Sequence, residues 1–343
     1  MNETVLVTGG TGFVARWCIV ALLKRGYTVR TTLRDLAKAG AVRRSIAAVS
    51  DGIDRLTFAK ADLMNDDGWG EAVTGCAYVL HVASPLGGVA SGDRDAYIRP
   101  AREGTLRVLR ASVEAGVRRV VMTSAAATAR PPLKSGLVSD ETRWADPDDP
   151  QFDAYRVSKI LAERAAWKFM ESEGRATEFT TVLPGAVFGP VLSTENLGSV
   201  KIIGDLVAGR PRRLPRLGFW VVDVRDLADL HVTAMTAPAA AGERFIAAGD
   251  FMWMEEIAAT LRAKLGAEGH KVPTRRLPTA LVRLLAPLRS DLKPLAPLLG
   301  RQFPLSSEKA RRVLGFAPRP GRNTVVDCAA SLIGAGGTGS PRA

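Results

Sequence analysis

The chain has 343 residues, 46% apolar and 24% charged, which is enough to bury a sizeable core and excludes wholesale disorder. Its formal charge of +12 is concentrated between His270 and Arg322, where twelve Lys or Arg stand against Asp291 and Glu308; without an aromatic or zinc motif this reads as a solvated face, not a nucleic-acid surface. Three distant cysteines (Cys18, Cys76, Cys328), three histidines in no metal-ligand cluster, no apolar run of roughly 18–20 residues and no basic-then-apolar leader point to a cytoplasmic chain with no bound metal and no membrane span.

In chain order, residues 3–8 read as a buried strand, 9–12 as a tight turn and 14–25 as a helix closed by Gly26. Residues 27–33 form a second strand, completing the strand–turn–helix–strand context that a glycine fingerprint needs. Strands are then predicted at 55–60, 77–82, 119–123 and 178–183, with helices at 66–73, 100–115 and 153–173. This alternation predicts an α/β fold, a Rossmann-type doubly wound parallel sheet over residues 1–185. From 186 to 332 Gly and Pro become frequent and segments shorten. Strands are expected at 217–222 and 244–248 and a helix at 255–265, giving a smaller C-terminal substrate lobe with some segments returning to the sheet. Residues 333–343 read as a flexible tail.

The turn Gly9-x-x-Gly12-x-x-Ala15 permits close backbone approach to a pyrophosphate, which Phe13 and Val14 at the following helix N-terminus would also contact. The second strand ends Thr31-Thr32-Leu33-Arg34 without the acid that an NAD ribose usually meets. Arg34 can clamp a 2′-phosphate, with Lys38, Arg43 and Arg44 adding charge, so NADPH is the expected cofactor. Asp35 is expected to cap the next segment. Asp62 and Leu63 stand where an adenine would be contacted. Val82, Ala83 and Ser84 end the fourth predicted strand, where small residues let a cofactor lie against the sheet.

Tyr155 and Lys159 are one helical turn apart and share a face. A phenol near pKa 10 is a poor acid–base group at neutral pH, and an adjacent ammonium is expected to bring it down. The irregular stretch 126–153 is expected to border the substrate. His81 and most of the tryptophans read as packing.

These segments together resemble the extended short-chain dehydrogenase/reductase family, in the branch of dihydroflavonol reductases, cinnamoyl-CoA reductases and yeast-type methylglyoxal or carbonyl reductases. The resemblance rests on Val5-Leu6-Val7-Thr8-Gly9, Ala61-Asp62-Leu63, His81-Val82-Ala83-Ser84-Pro85, Tyr155-Arg156-Val157-Ser158-Lys159, Leu161-Ala162-Glu163 and Val222-Asp223-Val224-Arg225-Asp226-Leu227. It implies NADPH-dependent reduction of a small-molecule aldehyde or ketone, with Tyr155 as proton donor, Lys159 as its support, Thr123 beside the cofactor, and Pro184 and Val187 at the nicotinamide amide. The oligomeric state stays open between monomer and homodimer.

One departure stands out. Where the family shows Thr-Ser-Ser after the fifth strand, this chain has Thr123-Ser124-Ala125, so the second serine is replaced by Ala125. Strand alternation turns Ser124 away from that side, and Ser124 could serve only if the strand end bulges. Two other readings follow: a hydroxysteroid-type dehydrogenase, or an NADPH-binding sensor whose catalysis is impaired at Ala125.

Overall fold

The computed structural model describes residues 3–84, 95–133, 135–150, 152–173, 176–285 and 296–336. Its first half alternates: β1 (Thr4–Val7), α1 (Phe13–Lys24), β2 (Thr28–Leu33), α2 (Ala39–Ala47), β3 (Leu56–Lys60), α3 (Trp69–Val73), β4 (Cys76–His81), α4 (Asp95–Glu114), β5 (Arg119–Thr123), α5 (Ala154–Glu173) and β6 (Glu178–Pro184). There follow β7 (Ala186–Phe188), α6 (Val200–Val207), β8 (Gly218–Asp223), α7 (Val224–Thr236), β9 (Arg244–Ala247) and β10 (Phe251–Trp253). Four helices complete the described chain: α8 (Met254–Lys264), α9 (Thr279–Leu285), α10 (Glu308–Leu314) and α11 (Gly321–Gly334).

Seven strands form one parallel sheet in the order β3-β2-β1-β4-β5-β6-β9. The order reverses between β1 and β4, and the crevice beyond their C-terminal ends is where such sheets bind ligands. Side-chain alternation divides the core. Val5 and Val7 point to the face covered by α1, α2 and α7, with Ile19, Leu22, Ile46 and Leu227. Leu6, Val79, Val120 and Met122 point to the other face, with Val108 and Leu109 of α4 and Ala162 and Ala166 of α5.

After Pro184 the chain leaves this sheet for a smaller one, in which β7 and β8 are parallel and β8 and β10 antiparallel. That sheet shares a separate core with α6, α8 and α11, including Phe188, Ile203, Leu261 and Leu332. β9 instead pairs with β6, so a strand from beyond residue 186 belongs to the first sheet. Asp223 caps α7 and binds Arg225 through both carboxylate oxygens, while Arg225 also reaches Asp327 of α11 at 2.6 Å. These contacts tie the C-terminal helix to the junction of the two sheets.

Several boundaries differ from the sequence reading. α4 is described from Asp95, five residues before the expected start, and carries Pro100 inside it. The proline lacks the N–H that would bond the Ala96 carbonyl, one rung of the hydrogen-bond ladder. α7 occupies a stretch in which no helix was predicted. α11 runs to Gly334 across part of the expected tail, and residues 337–343 lie outside the described residues.

Candidate active site

The loop between β1 and α1 is built for close approach. Gly9 has φ +76°, which an L side chain rarely adopts, and a Cβ there would lie 2.9 Å from the Ala83 Cβ. At Gly10 a Cβ would meet Thr31 Oγ1 at 2.5 Å. Thr32 holds the loop from below, accepting from Gly9 N through Oγ1 and from Gly10 N through its carbonyl, both at 3.0 Å. Gly12 leads into α1, whose opening residues Phe13 and Val14 are partly exposed and whose first N–H groups face the loop. The turn and helix end therefore fit a dinucleotide pyrophosphate. A cleft of about 280 Å³ lies alongside, lined by Thr11, Arg16, Lys38, Leu192 and Glu195.

Thr8 fixes the end of β4. Its hydroxyl accepts from Val82 N (3.1 Å) and Ala83 N (2.9 Å), so its own proton goes to His81 Nδ1 at 3.0 Å. His81 is then neutral with the proton on Nε2, donated to Thr105 Oγ1 at 3.2 Å. His231 on α7 takes the other tautomer: Nδ1–H donates to the Leu227 carbonyl, and Nε2 accepts the Thr123 hydroxyl at 2.7 Å. Burial holds His81 down to about 3, with Lys159 adding to the shift, and holds His231 down to about 4. Between the ordinary value of 6.5 and these values the unfolded chain takes up two protons that the fold refuses. Stability is therefore complete above pH 6.5 and falls as pH drops, by about 1.4 kcal/mol per unit per histidine. Denaturant midpoints measured from pH 7 to pH 4 should decline over that window, and the slope should lessen in His231→Gln.

At the C-terminal end of β5 the structure brings Lys159 to Thr123, and Tyr155 stands one turn earlier than Lys159 on α5. Lys159 is 5% exposed, and its ammonium donates to the Thr123 carbonyl at 3.5 Å. Burial lowers it to about 8, against the opposing pull of Glu163. Tyr155 differs from expectation. Burial pushes its phenol up, Asp153 adds to the rise and Arg156 opposes it. The Lys159 ammonium is turned to the Thr123 carbonyl and is itself desolvated, so the phenol is a protonated donor at neutral pH. Its hydroxyl makes no hydrogen bond to a described residue.

Ser124 is 3% exposed, and its hydroxyl donates to Glu163 Oε2 at 2.5 Å. Its proton is thus committed inside the protein, on the face away from open space. Ala125 follows in extended conformation (φ −155°, ψ 147°) and is partly exposed.

The remaining expected positions lie around this centre. Arg34 is exposed with no hydrogen bond or ion pair to a described residue, and Lys38 pairs with Glu195 at 3.2 Å. Asp35 caps the next turn through Ala37 N. Arg43 donates to the carbonyls of Ile53 and Leu56, both at 2.6 Å. Asp62 accepts from Met64 N, and the Leu63 carbonyl accepts from Arg107. Val82, Ala83 and Ser84 are partly buried; Pro85 lies outside the described residues. Pro184 ends β6 and Val187 lies in β7, paired with Val222. Among the described residues no group of three or more His, Cys, Asp or Glu could hold a metal ion, and no helix is long and apolar enough to cross a membrane. Arg244 and His231, which meet Glu163 and Thr123 beneath the site, carried no motif of their own, and Glu163 stood in a resembling segment without an assigned role.

The sequence model of the NAD dependent epimerase/dehydratase family matches residues 5–248, and the chain belongs to that family, that of the extended short-chain dehydrogenases/reductases. It is 35% identical over 266 residues to a dihydroflavonol 4-reductase of Zea mays, covering 76% of this chain and 73% of that protein. To cinnamoyl-CoA reductase 1 of Petunia hybrida it is 37% identical over 247 residues, covering 70% and 71%. The fold is similar to that of a yeast methylglyoxal/isovaleraldehyde reductase crystallised with NADPH, with a TM-score of 0.80, 24% identity and coverage of 98% and 100%.

Proposed function

We propose that this chain reduces an aldehyde or ketone to the alcohol with NADPH, Tyr155 giving the proton and Lys159 supporting it. The observation that carries this reading is the position of Lys159. Its ammonium reaches the carbonyl of the last residue of β5, while Tyr155 precedes it by one turn on the same helix.

In this reading Gly9, Gly12, Phe13 and Val14 hold the pyrophosphate, and Arg34 with Lys38 holds the 2′-phosphate. The Lys38–Glu195 pair is exposed on both sides, so Lys38 can exchange partners at little cost. Asp62 and Leu63 border the adenine, Val82 to Ser84 with Thr123 line the floor, and Pro184 and Val187 meet the amide. NADPH supplies the hydride for the carbonyl carbon. Tyr155 donates its phenolic proton to the carbonyl oxygen, and the Lys159 ammonium stabilises the phenolate left behind. Relatives named as dihydroflavonol and cinnamoyl-CoA reductases support reduction as the reaction type.

Neither residue following β5 offers the carbonyl oxygen a second hydroxyl donor. Ser124 is committed to Glu163, and Ala125 has none to give. Losing one such donor costs about 10²–10³ in rate. The extended, partly exposed backbone at Ala125 accepts serine without strain, so Ala125→Ser should raise kcat at least tenfold. The test is NADPH consumption against a panel of aromatic and aliphatic aldehydes and ketones, with wild type beside Ala125→Ser. Turnover by either protein, faster in the serine variant, is the expected result. Silence in both, despite tight NADPH binding, would replace this reading with that of a nucleotide-binding sensor.

A further inference from the structure

A cavity of about 360 Å³ lies between the loop 130–139 and the segment 301–304, within the size range of small-molecule sites. Backbone bonds hold its walls together: Ser139 N donates to the Pro304 carbonyl and Ser306 N to the Ser139 carbonyl, both at 2.9 Å. Leu133, Leu137, Phe303 and Pro304 give it an apolar lining. Two guanidinium groups, Arg130 and Arg301, also line it, and none of its described lining residues is acidic.

Arg130 is the unusual member. Its guanidinium lies over the rings of Phe152 at 4.4 Å and Phe303 at 5.2 Å, so its faces are stacked and only its in-plane N–H groups remain for an acceptor. Nη2 is fully buried and has no hydrogen-bond partner among the described residues, so it is closed to a ligand in the cavity, which meets the rest of the guanidinium. The charged groups that act on it are Asp149, Asp153 and Arg156; Asp153 is paired with Arg156. Phe152 and Arg156 flank Tyr155 in sequence, which places the cavity's guanidinium against the start of the helix that carries the proposed proton donor.

We propose that this cavity binds a small aryl or short-chain carboxylate, the carboxylate drawn to the Arg130 and Arg301 guanidinium charges and the apolar body lying against Phe303, Leu133 and Leu137. The carboxylate can belong to the carbonyl substrate itself or to a separate ligand. The first case rests on the reductase reading; binding to the cavity does not.

The experiment has a binding arm and a turnover arm. In the first, calorimetry measures 3-phenylpropanoate against its neutral counterpart, 3-phenylpropan-1-ol, on wild type, Arg130→Met and Arg130→Lys. Wild type should prefer the acid by at least tenfold, and Arg130→Met should abolish the preference, with lysine retaining part of it. No preference in wild type overturns the proposal without reference to any variant, and so does a preference that survives in Arg130→Met. In the turnover arm, the ratio of kcat/KM for 4-formylbenzoate over benzaldehyde should fall at least tenfold in Arg130→Met if the substrate carries the carboxylate. If that ratio is unchanged while the binding preference is lost, the carboxylate belongs to a separate ligand. Absence of all turnover with binding intact counts against the reductase reading and leaves the cavity's assignment standing.

Discussion

Tyr155→Phe should lower kcat/KM for carbonyl reduction by about 10²–10⁴-fold while the Kd for NADPH changes only a few-fold. The phenol hydroxyl has no partner among the described residues, so its removal strands no buried donor or acceptor. Stability should therefore stay within about 0.5 kcal/mol of wild type. Nucleotide titration and steady-state kinetics on the same preparation separate the two roles. If the variant kept wild-type turnover, Tyr155 would not be the proton donor, whatever the nucleotide bound. Lys159→Ala should behave differently, losing turnover and weakening nucleotide binding together, because its ammonium sits beside the Thr123 carbonyl in the proposed floor.

The ionisation of the pair gives a further sign. The Tyr155 phenol is raised and stays protonated through neutral pH, whereas Lys159 is lowered to about 8. Below that value the ammonium is present to stabilise the phenolate; above it the charge is lost. The kcat/KM profile should consequently fall on its alkaline side near pH 8, well before an ordinary lysine would deprotonate.

Much of this arrangement could be read from sequence because it is local. Glycine spacing, the flanking strand and helix, and the one-turn separation of Tyr155 and Lys159 each occupy a few consecutive residues, and β1 and α1 are apolar runs on either side of the glycine turn. What escaped was set by contacts between distant segments. Arg244 meets Glu163 across 81 positions, and His231 meets Thr123 across 108, with nothing in either neighbourhood to announce a partner. Helix α7, though strongly apolar on one face, followed a strand without the Gly and Pro punctuation that marked the earlier elements. Arg43 adds another case: its charge near Arg34 is legible in sequence, but the Ile53 and Leu56 carbonyls that its N–H groups satisfy are not. The phenol's raised proton affinity likewise came from burial, a property of the assembled site and not of residue spacing.

Glu163 is where stability and chemistry meet, and its substitution should have the largest effect on the fold. Its carboxylate is 0% exposed and accepts from Ser124, from Thr181 at 2.9 Å and from Arg244 Nε at 2.9 Å. Arg244 in turn donates to the Glu141 and Arg143 carbonyls, and its guanidinium lies 3.7 Å from the Trp144 ring centre. The network thus joins β5, α5, β6 and β9 to the irregular segment after β5. Glu163→Gln keeps the shape but leaves the Arg244 charge buried without a counter-ion, and breaking such a pair costs about 3–5 kcal/mol. Arg244→Met should cost a similar amount by stranding the carboxylate. The double variant should lose clearly less than the sum, because neither charge is then left alone. Urea midpoints of the four proteins measure the coupling, and strict additivity would refute it. Glu163 also raises Lys159 by its charge. In Glu163→Gln the alkaline limb of kcat/KM should therefore move to lower pH, a displacement that loss of stability alone does not produce at temperatures where both proteins are folded.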